Sequence, residues 1–249
     1  MQYGICNLSI VPLRIEPSDP SELVSQVLYG EIFKVLEQRK SWSRIRLAYD
    51  KYEGWIDNKQ YLEIDEDTYK SIKQQDHILS TDLIEFIQGK NQQLYTISLG
   101  SSLNGLDILE HKFDGNSVSS KQEKSELLKT AFTYLNAPYL WGGKTPFGID
   151  CSGFTQMVYK INGYQLLRDA SQQATQGQAL SFIEESEPGD LAFFDNAEGL
   201  ITHVGIIMED NYIIHAHGKV RIDRLDHSGI YNVDKRVHTH KLRVIKKII

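Results

Sequence analysis

Cys151 is the residue of this sequence best placed to act as a nucleophile. It lies in Gly148-Ile149-Asp150-Cys151-Ser152-Gly153-Phe154, a glycine-flanked turn that feeds an apolar-periodic segment. The pattern predicts a helix that begins near Cys151 and runs through Phe154, Val158 and Ile161 to a stop at Asn162-Gly163. A thiol in the first turn of a helix meets unpaired N–H groups and the positive end of the dipole. Both favour the thiolate, the reactive form. The alternative fate of a lone cysteine is a small buried core residue, and position alone does not separate the two.

The histidines supply what a cysteine nucleophile needs. His203 opens the run His-Val-Gly-Ile-Ile-Met, and His215 lies in Tyr-Ile-Ile-His-Ala-His. The intervening Glu209-Asp210-Asn211 reads as a tight turn, which makes the two runs a hairpin. That turn sets His203 directly across from His215 or one residue away, so the rings can touch across the strands. A nucleophile wants a base, and the base wants a group that fixes its tautomer. His203 as base and His215 as orienting group meet that need. His217 competes with His215 for the third role, while His227, His238 and His240 read as surface or structural residues. His215 and His217 share one strand face, but no carboxylate or second cysteine stands at ligand spacing, so no metal site is expected.

The elements that must position these residues change character along the chain. Residues 1–64 alternate in period two, with short strands at Ser25–Leu28, Glu31–Leu36, Trp42–Leu47 and Tyr52–Ile56 and bends at Gly30 and Gly54. A small barrel closes such strands. Residues 65–119 carry strand-like pieces (Leu94–Leu99, His111–Phe113) and turn signals at Asn104-Gly105 and Asp114-Gly115, which suggests a second small β module. From 120 to 249 the order is helices and then strands. Ser120-Lys121-Gln122-Glu123 has the form of a capping box. It precedes a helical face of Leu127, Leu128, Ala131, Phe132 and Leu135 that ends at Asn136-Ala137-Pro138. Strands are expected at Asp190–Asp195, His203–Met208, Tyr212–His217, Val220–Leu225 and Lys241–Ile249. The whole reads as α+β.

Composition narrows the function classes. The 249 residues are 41% apolar, enough for hydrophobic cores, and carry a net charge of -6. A nucleic-acid partner is not expected, because lysines and arginines are scattered among more numerous carboxylates. There is no run of membrane-span length and no signal-peptide pattern behind Met1-Gln2-Tyr3-Gly4. Two cysteines, Cys6 and Cys151, give no disulfide framework. The expectation is a cytoplasmic, monomeric protein with no membrane partner and no cofactor.

Five motifs in order resemble the NlpC/P60 cysteine peptidases, papain-like enzymes that cut peptidoglycan peptides. They are Pro138-Tyr139-Leu140-Trp141-Gly142-Gly143, the Gly148–Phe154 segment, Pro188-Gly189-Asp190-Leu191-Ala192-Phe193-Phe194, His203-Val204-Gly205-Ile206 and Ile214-His215-Ala216. The resemblance implies a papain-like α+β catalytic domain, with Cys151 as nucleophile, His203 as base and His215 as the third polar residue. Glu16-Pro17-Ser18, Gly30-Glu31, Trp42 and Gly54-Trp55-Ile56 look like a bacterial SH3 module. Two SH3-like modules before such a domain resemble the γ-D-glutamyl-L-diamino acid endopeptidases of the dipeptidyl-peptidase VI type. In that group the first module narrows the cleft, so that murein peptides with a free N-terminal L-alanine are taken. The segment Leu167-Arg168-Asp169-Ala170-Ser171-Gln172-Gln173 resembles the group's substrate-binding segment.

A free ammonium taken out of water needs a carboxylate and further acceptors. Asp169 and Ser171, or Glu22 and Glu16 of the SH3-like module, can supply them. Tyr52 can reach over the nucleophile, and Tyr139 and Trp141 complete the candidate substrate-binding set. Each has a plainer alternative: Asp169 or Ser171 as the N-cap of a helix over 172–176, Tyr52 as barrel packing, and Asp150 as the cap of the Cys151 helix. Ser152 can turn a backbone N–H towards an oxyanion. Two rival functions remain: a hydrolase of polymeric cell wall, or an acyltransferase, using the same Cys/His pair, and a non-catalytic murein-peptide-binding protein.

Overall fold

The computed structural model describes residues 2–249, which fall into two compact units. The first comprises residues 1–121 together with Trp141–Pro146; the second comprises Gln122–Leu140 and Phe147–Ile249. The sequence reading leaves 141–146 in the C-terminal half. These residues group with the first unit although second-unit residues flank them on both sides.

The first unit is built on a seven-stranded antiparallel sheet. Its strands are β1 (Gln2–Ile5), β2 (Ile10–Arg14), β3 (Leu23–Leu28), β4 (Ile32–Gln38), β5 (Trp42–Leu47), β6 (Glu53–Asp57) and β7 (Leu62–Ile64). They are ordered β3-β2-β6-β5-β4-β1-β7. Alternation does the sorting here: Val11, Leu13, Val27, Phe33, Val35, Ile45, Leu47 and Ile56 point inward to form one core. A second core collects Tyr3, Tyr29, Ile32, Tyr69, Ile87, Ile97 and Leu103. It draws on helix α1 (Glu66–Gln74), on the smaller strands β9 (Ile84–Gln88), β10 (Leu94–Ser98) and β11 (Lys112–Phe113), and on the one-turn helix α2 (Leu106–Leu109) between β10 and β11, while β8 (Leu79–Ser80) and β12 (Ser117–Val118) pair with each other. Gly30 sits at φ +75°, where a Cβ would come 1.9 Å from the Ser102 carbonyl oxygen, so this turn admits only glycine.

Within the same unit the segment carrying the short strand β13 (Lys144–Thr145) is held by polar bonds. The Lys144 ammonium is fully buried against the buried Glu31 carboxylate at 3.3 Å, and its backbone N–H donates to Gln26 Oε1 at 2.7 Å. Glu31 also accepts from the Leu28 N–H at 2.9 Å.

The second unit begins with α3 (Glu126–Thr133). Its cap is Ser125, not Ser120, and Leu127 and Ala131 are its buried residues. The helix thus starts beyond the capping box expected at Ser120, and the Gln122 N–H donates to the Asn162 carbonyl at 3.1 Å. After the short strand β14 (Gly148–Ile149) comes α4 (Cys151–Ile161), every residue of which is buried, and then α5 (Ala170–Gln173). The remaining strands are β15 (Gln178–Leu180), β16 (Leu191–Asp195), β17 (Ile201–Ile207), β18 (Tyr212–His217), β19 (Lys219–Asp226), β20 (Gly229–Asn232) and β21 (Val237–Lys247). They pair antiparallel in the order β15-β21-β16-β17-β18-β19-β20, and β20 pairs again with β21, so six of them run round and meet. Helix α4 packs against β17 and β18. A helix buried on all sides, rather than along one stripe, is what an element at the centre of its unit must be.

Candidate active site

Asp150 starts α4. Its backbone is extended and its Oδ1 accepts from the Gly153 N–H at 2.6 Å, an N-cap that satisfies one orphan donor of the first turn. The carboxylate also pairs with Arg168, Nη2 to Oδ2 at 2.6 Å and Nη1 to Oδ1 at 3.0 Å, with the Arg168 side chain 1% exposed. Arg168 Nη1 further donates to Ser152 Oγ at 3.0 Å. The Asp150 side chain, a candidate for the substrate-binding set with capping of this helix as its alternative, is thus engaged in holding the helix end, and so is the Ser152 hydroxyl, while the expectation for Ser152 concerns its backbone N–H. Gln173 Nε2 donates to the Ser152 carbonyl at 2.9 Å and fixes that end from the other side.

Cys151 follows, nearly buried, with its Sγ 3.9 Å from the carbonyl oxygen of Thr202, the residue before His203 on β17. Backbone N–H groups of Val204 and Ser152 face the sulfur and favour its anion, as does the Arg168 charge. Burial outweighs them. Together with the neighbouring Asp150 carboxylate it pushes the thiol up to about 12. The helix end pulls in the direction expected from the sequence, yet the resting group is a thiol.

His203 and His215 are buried, and His203 Nε2 lies 2.8 Å from His215 Nδ1. The register is not the one read from the sequence. Gly205 pairs with His215, Ile206 with Ile214 and Ile207 with Ile213, so His203 stands diagonally from His215, on the same face. Gly205 makes that closeness possible, because a Cβ there would lie 2.9 Å from His215 Cβ. Burial first, then the adjacent His215, His240 and His217, holds His203 well below the usual imidazole value. Burial also lowers His215, against the pull of Asp223, whose Oδ2 lies 3.1 Å from His215 Nε2.

Three residues at this site carry no signal in the sequence reading. Asp223 lies there in the expected strand Val220–Leu225 with no role, Arg168 falls in the segment that resembles a substrate-binding segment without a role of its own, and His240 reads as surface or structural. His240 on β21 stacks on His203 with ring centroids 4.1 Å apart and planes at 24°, and it also meets His217 at 4.8 Å. His217 reaches the same cluster from β18 but is only half-buried.

The other expected residues are spread over both units. In the second unit Asp169 caps α5, its N–H donating to Gln172 Oε1 at 3.1 Å, and Ser171 is an exposed residue of that helix. Tyr139 is half-buried, its hydroxyl raised by burial and then by the charges of Cys151 and Asp150. In the first unit Trp141 Nε1 donates to Glu22 Oε1 at 2.7 Å, Tyr52 packs on the barrel core, and Glu16 is exposed. Among the described residues, no group of three or more His, Cys, Asp or Glu side chains is arranged to hold a metal, and no helix is long and apolar enough to cross a membrane.

Residues 136–239 match the model of the NlpC/P60 family, a span that holds Cys151, His203 and His215, and residues 13–60 match the bacterial dipeptidyl-peptidase Sh3 domain. The chain is 27% identical over 253 residues to the dipeptidyl-peptidase 6 of Lysinibacillus sphaericus, covering 86% of this chain and 88% of that one. It is 29% identical over 217 residues to the γ-D-glutamyl-L-lysine dipeptidyl-peptidase of Bacillus subtilis, covering 77% and 71%. The crystal structure of an NlpC/P60 family protein from Bacillus cereus superposes with a TM-score of 0.79 over 99% of both chains at 20% identity, which shows the shared fold. A buried cysteine at the head of α4, a histidine pair on the strands packed against it, and these matches give the chain an NlpC/P60 peptidase domain preceded by a bacterial dipeptidyl-peptidase SH3 domain.

Proposed function

We propose that this peptidase hydrolyses the γ-D-Glu–diamino acid bond of murein peptides that carry a free N-terminal L-Ala, with Cys151 as nucleophile, His203 as base and His215 as the group that orients it. The observation that carries the chemistry is the placing of the Cys151 sulfur 3.9 Å from the carbonyl preceding His203, whose ring in turn bonds His215 at 2.8 Å. The substrate class is supported by the names of the relatives and by the net charge of -6, which suits a small peptide better than binding to an anionic wall polymer. We place the reaction in cytoplasmic recycling of cell-wall peptides, where the free thiols of Cys6 and Cys151 stay reduced.

Because both resting groups are neutral, the proton leaves Cys151 for His203 as the sulfur attacks the γ-carbonyl. The Cys151–carbonyl bond forms, and the oxyanion is held by backbone N–H groups at the head of α4. His203 then gives the proton to the leaving amine of the diamino acid, and the C–N bond breaks to leave a thioester. A water molecule, its proton taken by His203, hydrolyses the thioester and frees L-Ala-D-Glu and the thiol. Asp169 is the carboxylate of the second unit offered for the substrate ammonium.

The test is incubation with L-Ala-γ-D-Glu-meso-diaminopimelate and with its N-acetylated form, with products followed by mass spectrometry. Release of L-Ala-D-Glu from the free peptide alone is expected. Equal cleavage of both forms removes the N-terminal specificity. Cleavage of polymeric peptidoglycan with neither peptide cut replaces the substrate class. Full turnover by Cys151→Ala removes the nucleophile.

A further inference from the structure

Behind the histidine pair stands a carboxylate whose every oxygen is committed. Asp223 lies on β19, two residues from Arg221, and Arg221 is the direct partner of His215 across the β18–β19 ladder. The Asp223 side chain is fully buried. Its Oδ2 accepts from Arg221 Nε at 2.7 Å and faces His215 Nε2 at 3.1 Å; its Oδ1 accepts from Arg221 Nη2 at 2.9 Å and from the Val233 N–H at 3.1 Å. Arg221 is anchored from its outer side by Asp234 at 2.8 Å. The bidentate Arg221 guanidinium holds Asp223 as the ionised carboxylate, which accepts on both oxygens and donates from neither.

These bonds fix where the protons sit. Asp223 has none to give, so the hydrogen between it and His215 belongs to His215 Nε2. A neutral His215 then has a bare Nδ1, which can only accept. The 2.8 Å contact with His203 therefore carries its hydrogen on His203 Nε2. A neutral His203 is left with Nδ1 unprotonated. We propose that Asp223, locked by Arg221, is a positioning residue that sets the tautomer of both histidines and so makes His203 Nδ1 the atom that takes the Cys151 proton. When it does, His203 carries hydrogens on both nitrogens, the bond to His215 persists, and no second proton moves. The other charged or titratable groups around the pair are His217 on β18, His240 on β21, and Lys235 in the turn before β21. None of them hydrogen-bonds to a ring nitrogen of His203 or His215.

Asp223→Asn keeps the shape and destroys the order. Its amide must put an NH2 where two donors already converge. If that NH2 faces His215, Nε2 becomes an acceptor, Nδ1 a donor, and the reversal carries through to His203, whose Nδ1 is then protonated and useless as a base. The inference rests on the proposed peptidase site, and two readouts separate the two ideas. Long-range 1H–15N correlation spectra of the wild-type protein are expected to show Nε2-protonated tautomers for both His203 and His215 at pH 7.5. In Asp223→Asn the reversed tautomers are expected, with kcat lowered roughly 10²–10⁴-fold and KM little changed. An Nδ1-protonated His203 in the wild type overturns the inference whatever peptide is cut, and decides it alone if Asp223→Asn does not fold. Wild-type activity in a folded Asp223→Asn overturns it as well. The expected tautomers in a protein that cuts no murein peptide leave the inference standing and remove the substrate reading.

Discussion

Acid should loosen the second unit well before its carboxylates are protonated, and the amount follows from His203. The ring is buried and its native value lies well below 6.5, so it stays neutral in the folded state as the pH falls. In the unfolded chain it takes up a proton below about 6.5. The unfolded state then binds more protons than the native one, and stability falls as pH drops through 6.5. Between pH 7 and pH 5 the loss for one such group is about 2 kcal/mol. His215, lowered in the same direction, adds to it. Asp223 works in the opposite range: its value is held down to about 2, so its contribution is complete above the ordinary carboxylate value and is lost only at lower pH. Urea unfolding at pH 7, 6 and 5 by far-ultraviolet circular dichroism measures the sum. Tryptophan fluorescence serves as an internal control, since Trp42, Trp55 and Trp141 all belong to the first unit. His203→Gln, which cannot titrate, is expected to remove about 2 kcal/mol of the pH dependence. A wild-type stability that is level from pH 7 to 5, or an unchanged slope in His203→Gln, would refute the reasoning.

Alkylation of Cys151 by iodoacetamide is expected to accelerate with pH well into the alkaline range, because burial holds the thiol near 12; a rate already level below pH 7 would mean a preformed thiolate. His240→Ala should lower kcat several-fold by freeing one face of the His203 ring, and His240→Phe, which keeps a stacking surface, should recover most of it; equal losses in both would assign the effect to something other than the stack. Lys144→Met leaves Glu31 charged and buried, so the first unit should lose about 3–5 kcal/mol, seen as an earlier tryptophan unfolding transition. The double variant Lys144→Met with Glu31→Leu should restore much of that loss, and a double variant no better than the single would count against the pair.

Local patterning made much of this protein readable. The helix from Cys151 to Ile161 is announced by its glycine-flanked cap and its Asn162-Gly163 stop, and β5 spans Trp42–Leu47 as its alternation dictates. What stayed hidden depends on partners distant in sequence. The hairpin turn is the expected Glu209–Asn211, but Met208 N–H closes it on the Tyr212 carbonyl at 2.9 Å, which centres it on Asp210 and sets Gly205 rather than His203 across from His215. Strands β15 and β20 are short and carry no pattern of their own, since each exists only by pairing with β21 or β19. Asp223 shows the limit most clearly. A carboxylate in a strand reads as solvent-facing, and only the β18–β19 turn at Gly218 reveals that Arg221 and Asp223 share a face with His215. Burial of Arg168 is likewise invisible until Asp150 and Ser152 are seen to surround it.

The ring of strands in the second unit also sets a timetable. Strand β16 pairs with β17 on one side and with β21 on the other, so residues 191–195 wait for residues 237–247 before the sheet is complete. Helix α4, with its cysteine, leaves the ribosome long before either. During synthesis the nucleophile therefore exists without a settled base, because the sheet that carries His203 and His215 is completed, and His203 gains its stacking partner His240, only when β21 arrives. A nascent chain is in this way a peptidase in outline only, and the hydrolytic centre is assembled after nearly all of the sequence that builds it has been made.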